Sequence, residues 1–353
     1  MGSYPTYGNL FLLLIIINLK HLIFIPSLIL GTLIAISASS WFSAWVGLEI
    51  NLIRIAPLLI NKTQYPSVEA TIKYFISQAI ASSILIFFFF SSSKFQIISI
   101  DLALYKNIVL VSLLTKAGVA PLHFWFPQVI ICSEWFQSFI LLTWQRISPF
   151  ILLSFISTNL LLFFIISSAI IGAIGGINQN SFILILTYSS ILHSRWMITL
   201  VIINEPQWWV YFVSYSLIAL SVIFILCKFN VKRFTEIHKL YTSSKIKLLF
   251  LINFLSIAGL PPLLGFIIKF LAINSIFFYN SFPFIIPLTL ITTSFLSFYF
   301  YLRMTYSFLF NSTSPACTFR KSRSNSPSFK LILVFASSSL IGRATAPFIY
   351  LLT

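Results

Sequence analysis

Apolar residues run along this chain in long unbroken blocks, not in the alternating or one-sided patterns of half-buried strands and helices. About 20 such residues cross a bilayer as a helix. That length predicts eleven spans, at 22–39, 41–60, 68–91, 107–131, 134–155, 158–177, 180–203, 207–227, 248–278, 282–303 and 328–350. A membrane β-barrel would need alternation along each strand, which these runs lack. The stretch Asn9–Leu19 is apolar but too short to span, and Lys20 and His21 follow it without a small-residue cleavage site. Residues 1–21 are therefore expected to be an extension ahead of the first span.

Composition agrees with a lipid environment. Of 353 residues, 59 % are hydrophobic and 8 % charged, against roughly a quarter charged in a soluble domain. The formal net charge of +16 suggests nucleic acid until the charges are located. Lys228, Lys232, Arg233, Lys239, Lys245 and Lys247 fill the loop after span eight, and Arg320, Lys321, Arg323 and Lys330 the loop after span ten. An even number of spans separates the two clusters, so both lie on the N-terminal side. The positive-inside rule makes that side cytoplasm or mitochondrial matrix. No nucleic-acid partner is implied. Residues 228–247 also mix basic and apolar positions, as in a plain loop or a surface helix touching anionic lipid, cardiolipin included. Cys132, Cys227 and Cys317 show no metal or disulfide spacing.

Two spans are interrupted. The fourth reads Lys116-Ala117-Gly118-Val119-Ala120-Pro121, and the ninth Ala258-Gly259-Leu260-Pro261-Pro262, followed by Gly265 and Lys269. Proline inside a helix removes a backbone hydrogen bond, and in lipid the freed carbonyls need partners. The breaks lie five spans apart, so two five-helix units would have opposite orientations in the membrane. Paired broken helices in inverted halves mark the ion site of a transporter.

Charges inside the spans point the same way. Glu49 sits mid-span, Lys116 precedes the first break, Lys269 follows the second, and Arg146, His193 and Arg195 lie within the fifth and seventh spans. Each ionised group at mid-bilayer costs about 2.5–3.5 kcal/mol on insertion scales. Apolar surroundings disfavour the charged form of carboxylate and lysine alike, so both exchange protons nearer neutrality, and histidine already does so. Glu49, Lys116, Arg146, Lys269 and His193 are thus the expected proton path. Glu69 and Lys73, spaced i,i+4, are expected to be a local interfacial pair. His123 could pack or line a cavity.

These residues resemble a known family. Trp45-Val46-Gly47-Leu48-Glu49-Ile50-Asn51, Lys116 to Pro127, Thr143-Trp144-Gln145-Arg146-Ile147-Ser148-Pro149, Ile174-Gly175-Gly176-Ile177-Asn178-Gln179, Tyr188-Ser189-Ser190 and Gly259-Leu260-Pro261-Pro262 with Gly265, Phe266 and Lys269 look like chain 2 of mitochondrial NADH:ubiquinone oxidoreductase, respiratory complex I. The resemblance covers residues 22–310 in order. It implies an all-α integral membrane protein with the antiporter-like fold: one inverted five-helix repeat over 22–155, a second over 158–303, then a loop and last helix over 304–353. It implies a proton-translocating subunit of an NADH:ubiquinone reductase in the mitochondrial inner membrane, partnered by the other membrane-arm subunits. No cofactor would be bound by this chain; NADH, FMN, iron–sulfur clusters and ubiquinone belong elsewhere in the complex. Glu49 and Lys116 would pair in the first half, Arg146 would hold the connecting basic position, and Lys269 would hold the basic position of the second broken helix.

The sequence also departs from the family: residues 1–19 lack a counterpart there, so the natural start is expected further downstream, which intact mass checks. Position 146 is usually lysine there, and arginine hardly ever deprotonates. Ile183 and Leu184 stand where a basic pair is common, and Arg54 and Arg195 where residues are small or uncharged. The chain has three Met in an Ile-rich sequence. A code reading some Met codons as Ile and some Ser codons as Arg explains both oddities. Peptide mass spectrometry is then expected to find no Arg at 54 and 195; finding it there rejects that account. A cation/proton antiporter and a non-conducting scaffold are the rival readings.

Overall fold

In the computed structural model, the described residues are 7–60, 65–95, 102–156, 158–203, 206–234, 236, 244–261, 263–279 and 283–310. They form thirteen helices: α1 (Tyr7–Ile36), α2 (Trp41–Leu59), α3 (Tyr65–Phe95), α4 (Leu102–Ala117), α5 (Trp125–Cys132), α6 (Trp135–Leu142), α7 (Trp144–Leu153), α8 (Leu160–Ile177), α9 (Phe182–Ile202), α10 (Gln207–Phe229), α11 (Ser244–Ala258), α12 (Leu264–Tyr279) and α13 (Ile285–Phe310). No strand occurs among them, only the isolated bridge between Ser181 and Arg233. Six of these helices are long and apolar enough to cross a membrane unaided. The predicted spans at 107–131 and 248–278 each appear as two helices around the anticipated Gly/Pro break. The predicted eleventh span, 328–350, lies outside the described residues.

Two elements differ from expectation. Helix α1 starts at Tyr7 and runs through residues 20–22 without interruption, because neither Gly nor Pro separates the short apolar stretch from the first span. The span at 134–155 is divided at Thr143 into α6 and α7, where no Gly or Pro gives warning. Within the basic segment 228–247, residues 230–234 turn back on the chain. Asn230 takes a left-handed conformation that ends α10, and Phe182 and Phe234 donate backbone hydrogen bonds to Lys232 and Asn180. Residues 237–243 of that loop, and Pro262, lie outside the described residues.

The chain divides into two compact units. The first holds residues 1–117, 132–137 and 144–158, and so α1 to α4 and α7. Helix α2 starts on a reciprocal cap, in which the Ser40 hydroxyl accepts from the Ser43 amide and the Ser43 hydroxyl accepts from the Ser40 amide. It then packs tightly on α1. A Cβ on Gly47 would lie 2.6 Å from the Ala35 backbone nitrogen, so only glycine permits this crossing. The result fixes the rotation of α2, on which Glu49 sits.

The second unit holds residues 118–131, 138–143 and 159–353. Its centre is α9, buried around most of its circumference. Small residues on α8 allow the close approach: a Cβ on Gly175 would meet the Tyr188 ring at 2.3 Å. Helices α8, α10, α12 and α13 also pack against α9. A helix so enclosed can carry polar groups away from lipid, and α9 carries His193 and Arg195, both buried.

Candidate functional site: charged residues at two broken helices

The second break is the more fully bonded. Helix α11 ends in a Schellman turn: Leu260 N–H donates to Leu255 O at 3.1 Å, Gly259 N–H donates to Ser256 O at 3.1 Å, and Gly259 takes φ +88°. Those bonds leave the carbonyls of Ile257 and Ala258 to be satisfied from outside the helix. Lys269 on α12 supplies the donors, its Nζ lying 3.2 Å from Ile257 O and 2.9 Å from Ala258 O. An ammonium group there also complements the negative end of the α11 dipole. Gly265 lies one turn before Lys269 on the same face of α12. Its Cα packs so tightly on the last turn of α11 that a Cβ would fall 1.7 Å from Ser256 O.

The first break is built differently. Helix α4 ends at Ala117, followed by Gly118 at φ +67°, and Lys116 stands in its last turn. Lys116 is buried, 6 % exposed, and its Nζ has no hydrogen-bond partner among the described residues. The group whose charge reaches it is Glu49 on α2. Glu69 and Lys73 do pair, at 2.6 Å on the exposed face of α3, as expected for a local contact. Arg146 is fully buried in α7 of the same unit. His123 is buried beyond the break, its Nδ1 3.2 Å from Pro121 O, and it stacks on Phe124.

His193 and Arg195 belong to the second unit. The His193 ring nitrogen Nδ1 lies 2.8 Å from the Tyr211 hydroxyl, and the ring stands against Tyr215. A narrow, mostly apolar cavity with room for about one water molecule runs from His193, Tyr211 and Tyr215 to Ser256, Ile257 and Gly265. It therefore reaches the turn that Lys269 caps. Arg195 is 1 % exposed; it donates to Thr293 Oγ1 and to Leu290 O and packs over the Trp196 ring. Its charge reaches Lys269 through space.

Sequence reasoning missed the neutral members of these clusters. Tyr74 and Gln78 on α3 are both buried, with Tyr74 OH donating to Gln145 Oε1 at 3.3 Å and Gln78 Nε2 to Lys116 O at 3.4 Å. Tyr211 and Tyr215 complete the His193 cluster. The available signal was an i,i+4 polar pair inside an apolar span. Neither residue is charged, so the pair does not stand out from an apolar span as a buried charge does.

A family model for NADH:quinone oxidoreductase/Mrp antiporter transmembrane subunits matches residues 38–297. NADH-ubiquinone oxidoreductase chain 2 of Anopheles gambiae is 38 % identical over 342 residues, 95 % of this chain and 99 % of that one. The chain belongs to this chain 2 family. The same protein of Squalus acanthias is 35 % identical over 94 % of this chain and 98 % of its own length. As a chain 2 protein it is an antiporter-like membrane subunit of NADH-ubiquinone oxidoreductase. Its fold is shared with a chain of the solved respiratory complex I from Thermus thermophilus, at a TM-score of 0.79 and 23 % identity over 93 % of this chain and 78 % of that one. A chain of the Mrp complex from Dietzia sp. also shares it, at a TM-score of 0.74 and 15 % identity over 93 % and 75 %.

Proposed function

We propose that this chain moves protons across the mitochondrial inner membrane as a membrane-arm subunit of NADH:ubiquinone oxidoreductase. The observation that carries this reading is the buried Lys116 ammonium. It stands without a hydrogen-bond partner among the described residues at the end of a broken helix, within reach of the Glu49 charge. A charge left so in a lipid-embedded bundle is expensive and serves conduction better than packing. In the first unit, Glu49 and Lys116 form the exchanging pair, and Arg146 acts on water through its field because it hardly deprotonates. In the second, Lys269 and His193 take the corresponding roles around the cavity beside α11. Both breaks would belong to inverted repeats, 22–155 and 158–303.

The redox chemistry would lie in partner subunits that hold NADH, FMN, iron–sulfur clusters and ubiquinone, and would drive this chain through other membrane-arm subunits. The N-terminus would face the matrix, with the basic loop 228–247 on anionic lipid such as cardiolipin.

The test is a detergent-solubilised complex reconstituted in proteoliposomes. With Glu49→Gln, NADH oxidation by an artificial acceptor should be unchanged while protons moved per NADH fall. Unchanged pumping overturns the reading. Copurification with NADH-oxidising activity separates it from a free-standing cation/proton antiporter.

A further inference from the structure

Both breaks expose carbonyls at a helix C-terminus, but they are capped by different chemistry. At the second break the lysine itself is the cap, donating to Ile257 O and Ala258 O. At the first, the carbonyl of Lys116 is one of the last of α4, where the positive φ of Gly118 stops the helix. Its donor is the neutral amide of Gln78, at a distance of 3.4 Å, which is long for such a bond. The Lys116 ammonium meanwhile has no bond among the described residues. A lysine in the last turn of a helix is ordinarily drawn to the terminal carbonyls. Gln78 competes for that place.

Tyr74 lies one turn earlier on the same face of α3, and its hydroxyl donates to Gln145 Oε1. Gln145 directly precedes Arg146 on α7. One face of α3 therefore ties down the backbone of one basic residue and the neighbour of the other. Neither tie is ionic. Glu49 is the acid whose charge acts on Lys116.

We infer that Gln78 is a positioning residue of the proton path: by capping the end of α4 it keeps the Lys116 ammonium free to exchange protons, with Tyr74 holding Gln145 beside Arg146 as a second tie. This inference rests on the proton-path reading. It adds a requirement that the path alone does not make, namely that a neutral donor must occupy the terminal carbonyl.

The experiment uses the whole complex in proteoliposomes and compares Gln78→Met, Gln78→His and Lys116→Met. Met keeps the length of Gln without a donor, whereas the His ring restores an N–H at similar reach. The expected result is normal assembly and normal NADH oxidation by an artificial acceptor in all three. Protons per NADH attributable to this chain should fall about twofold or more in Gln78→Met, in keeping with the loss of one hydrogen bond, and recover in Gln78→His. If Gln78→Met pumps normally while Lys116→Met does not, the inference is overturned and the path stands. If Lys116→Met pumps normally, the path itself falls. If both Gln78 variants lose assembly or pumping equally, Gln78 is merely structural and the inference fails.

Discussion

Lys116→Met is expected to leave the complex assembled and to stop the proton movement that this chain carries. The two effects separate because the Lys116 Nζ makes no hydrogen bond among the described residues that would be lost. Methionine has nearly the same length and relieves the cost of burying an ammonium group, on which Glu49 acts through its charge and not through a salt bridge among the described residues. The carbonyl that Gln78 caps is main chain, so the end of α4 is untouched by the replacement. What disappears is the only side chain at that turn able to give and take a proton. A positioned proton-transfer group contributes about a hundredfold or more to its step, so the loss should be close to complete. Acidification per NADH in proteoliposomes, read beside the amount of assembled complex, checks it. Normal pumping by this variant would mean that Lys116 only fills space.

Gly265→Ala is expected to do the opposite and prevent the second unit from folding. The added Cβ would lie 1.7 Å from Ser256 O, a main-chain atom in the last turn of α11 that no rotamer change can move. Helices α11 and α12 would have to separate. Because Gly265 and Lys269 share a face of α12, separation also withdraws the ammonium from Ile257 O and Ala258 O. Overpacking of this kind costs about 1–3 kcal/mol and sometimes more, and two uncapped carbonyls in lipid add to it. The amount of assembled complex on a native gel should drop sharply, with pumping lost in proportion. Assembly at wild-type level would show that the contact between α11 and α12 is looser than described. Lys116→Met and Gly265→Ala thus distinguish a residue kept for conduction from one kept for packing.

The resemblance to chain 2 was carried by short stretches whose reasons are visible in the fold. Gly47 is read as part of a motif around Glu49 and proves to be the point where α2 crosses the Ala35 backbone. Gly259 and Pro261 announce a break, and the break is the Schellman turn that ends α11. The division of 134–155 at Thr143 had no such announcement, since the run of apolar residues continues through it. The long α1 was hidden for the converse reason: two polar residues at 20 and 21 look like a boundary to a hydropathy scan but do not end a helix.

The sequence by itself determined that the chain is a multi-span helical membrane protein, where the segments 107–131 and 248–278 are broken, and which charged residues fall inside apolar helices. It could do so because lipid forces backbone bonding to be local, and therefore readable from runs of residues. What caps each broken end was decided only by tertiary structure. Lysine at one break, glutamine at the other, and the Tyr211 partner of His193 each come from the adjacent helix, 11, 38 and 18 residues away, and uncharged donors leave no mark on a hydropathy pattern. Which carbonyl a side chain reaches is a matter of a few tenths of an ångström between packed helices, and that distance exists only once the bundle has closed.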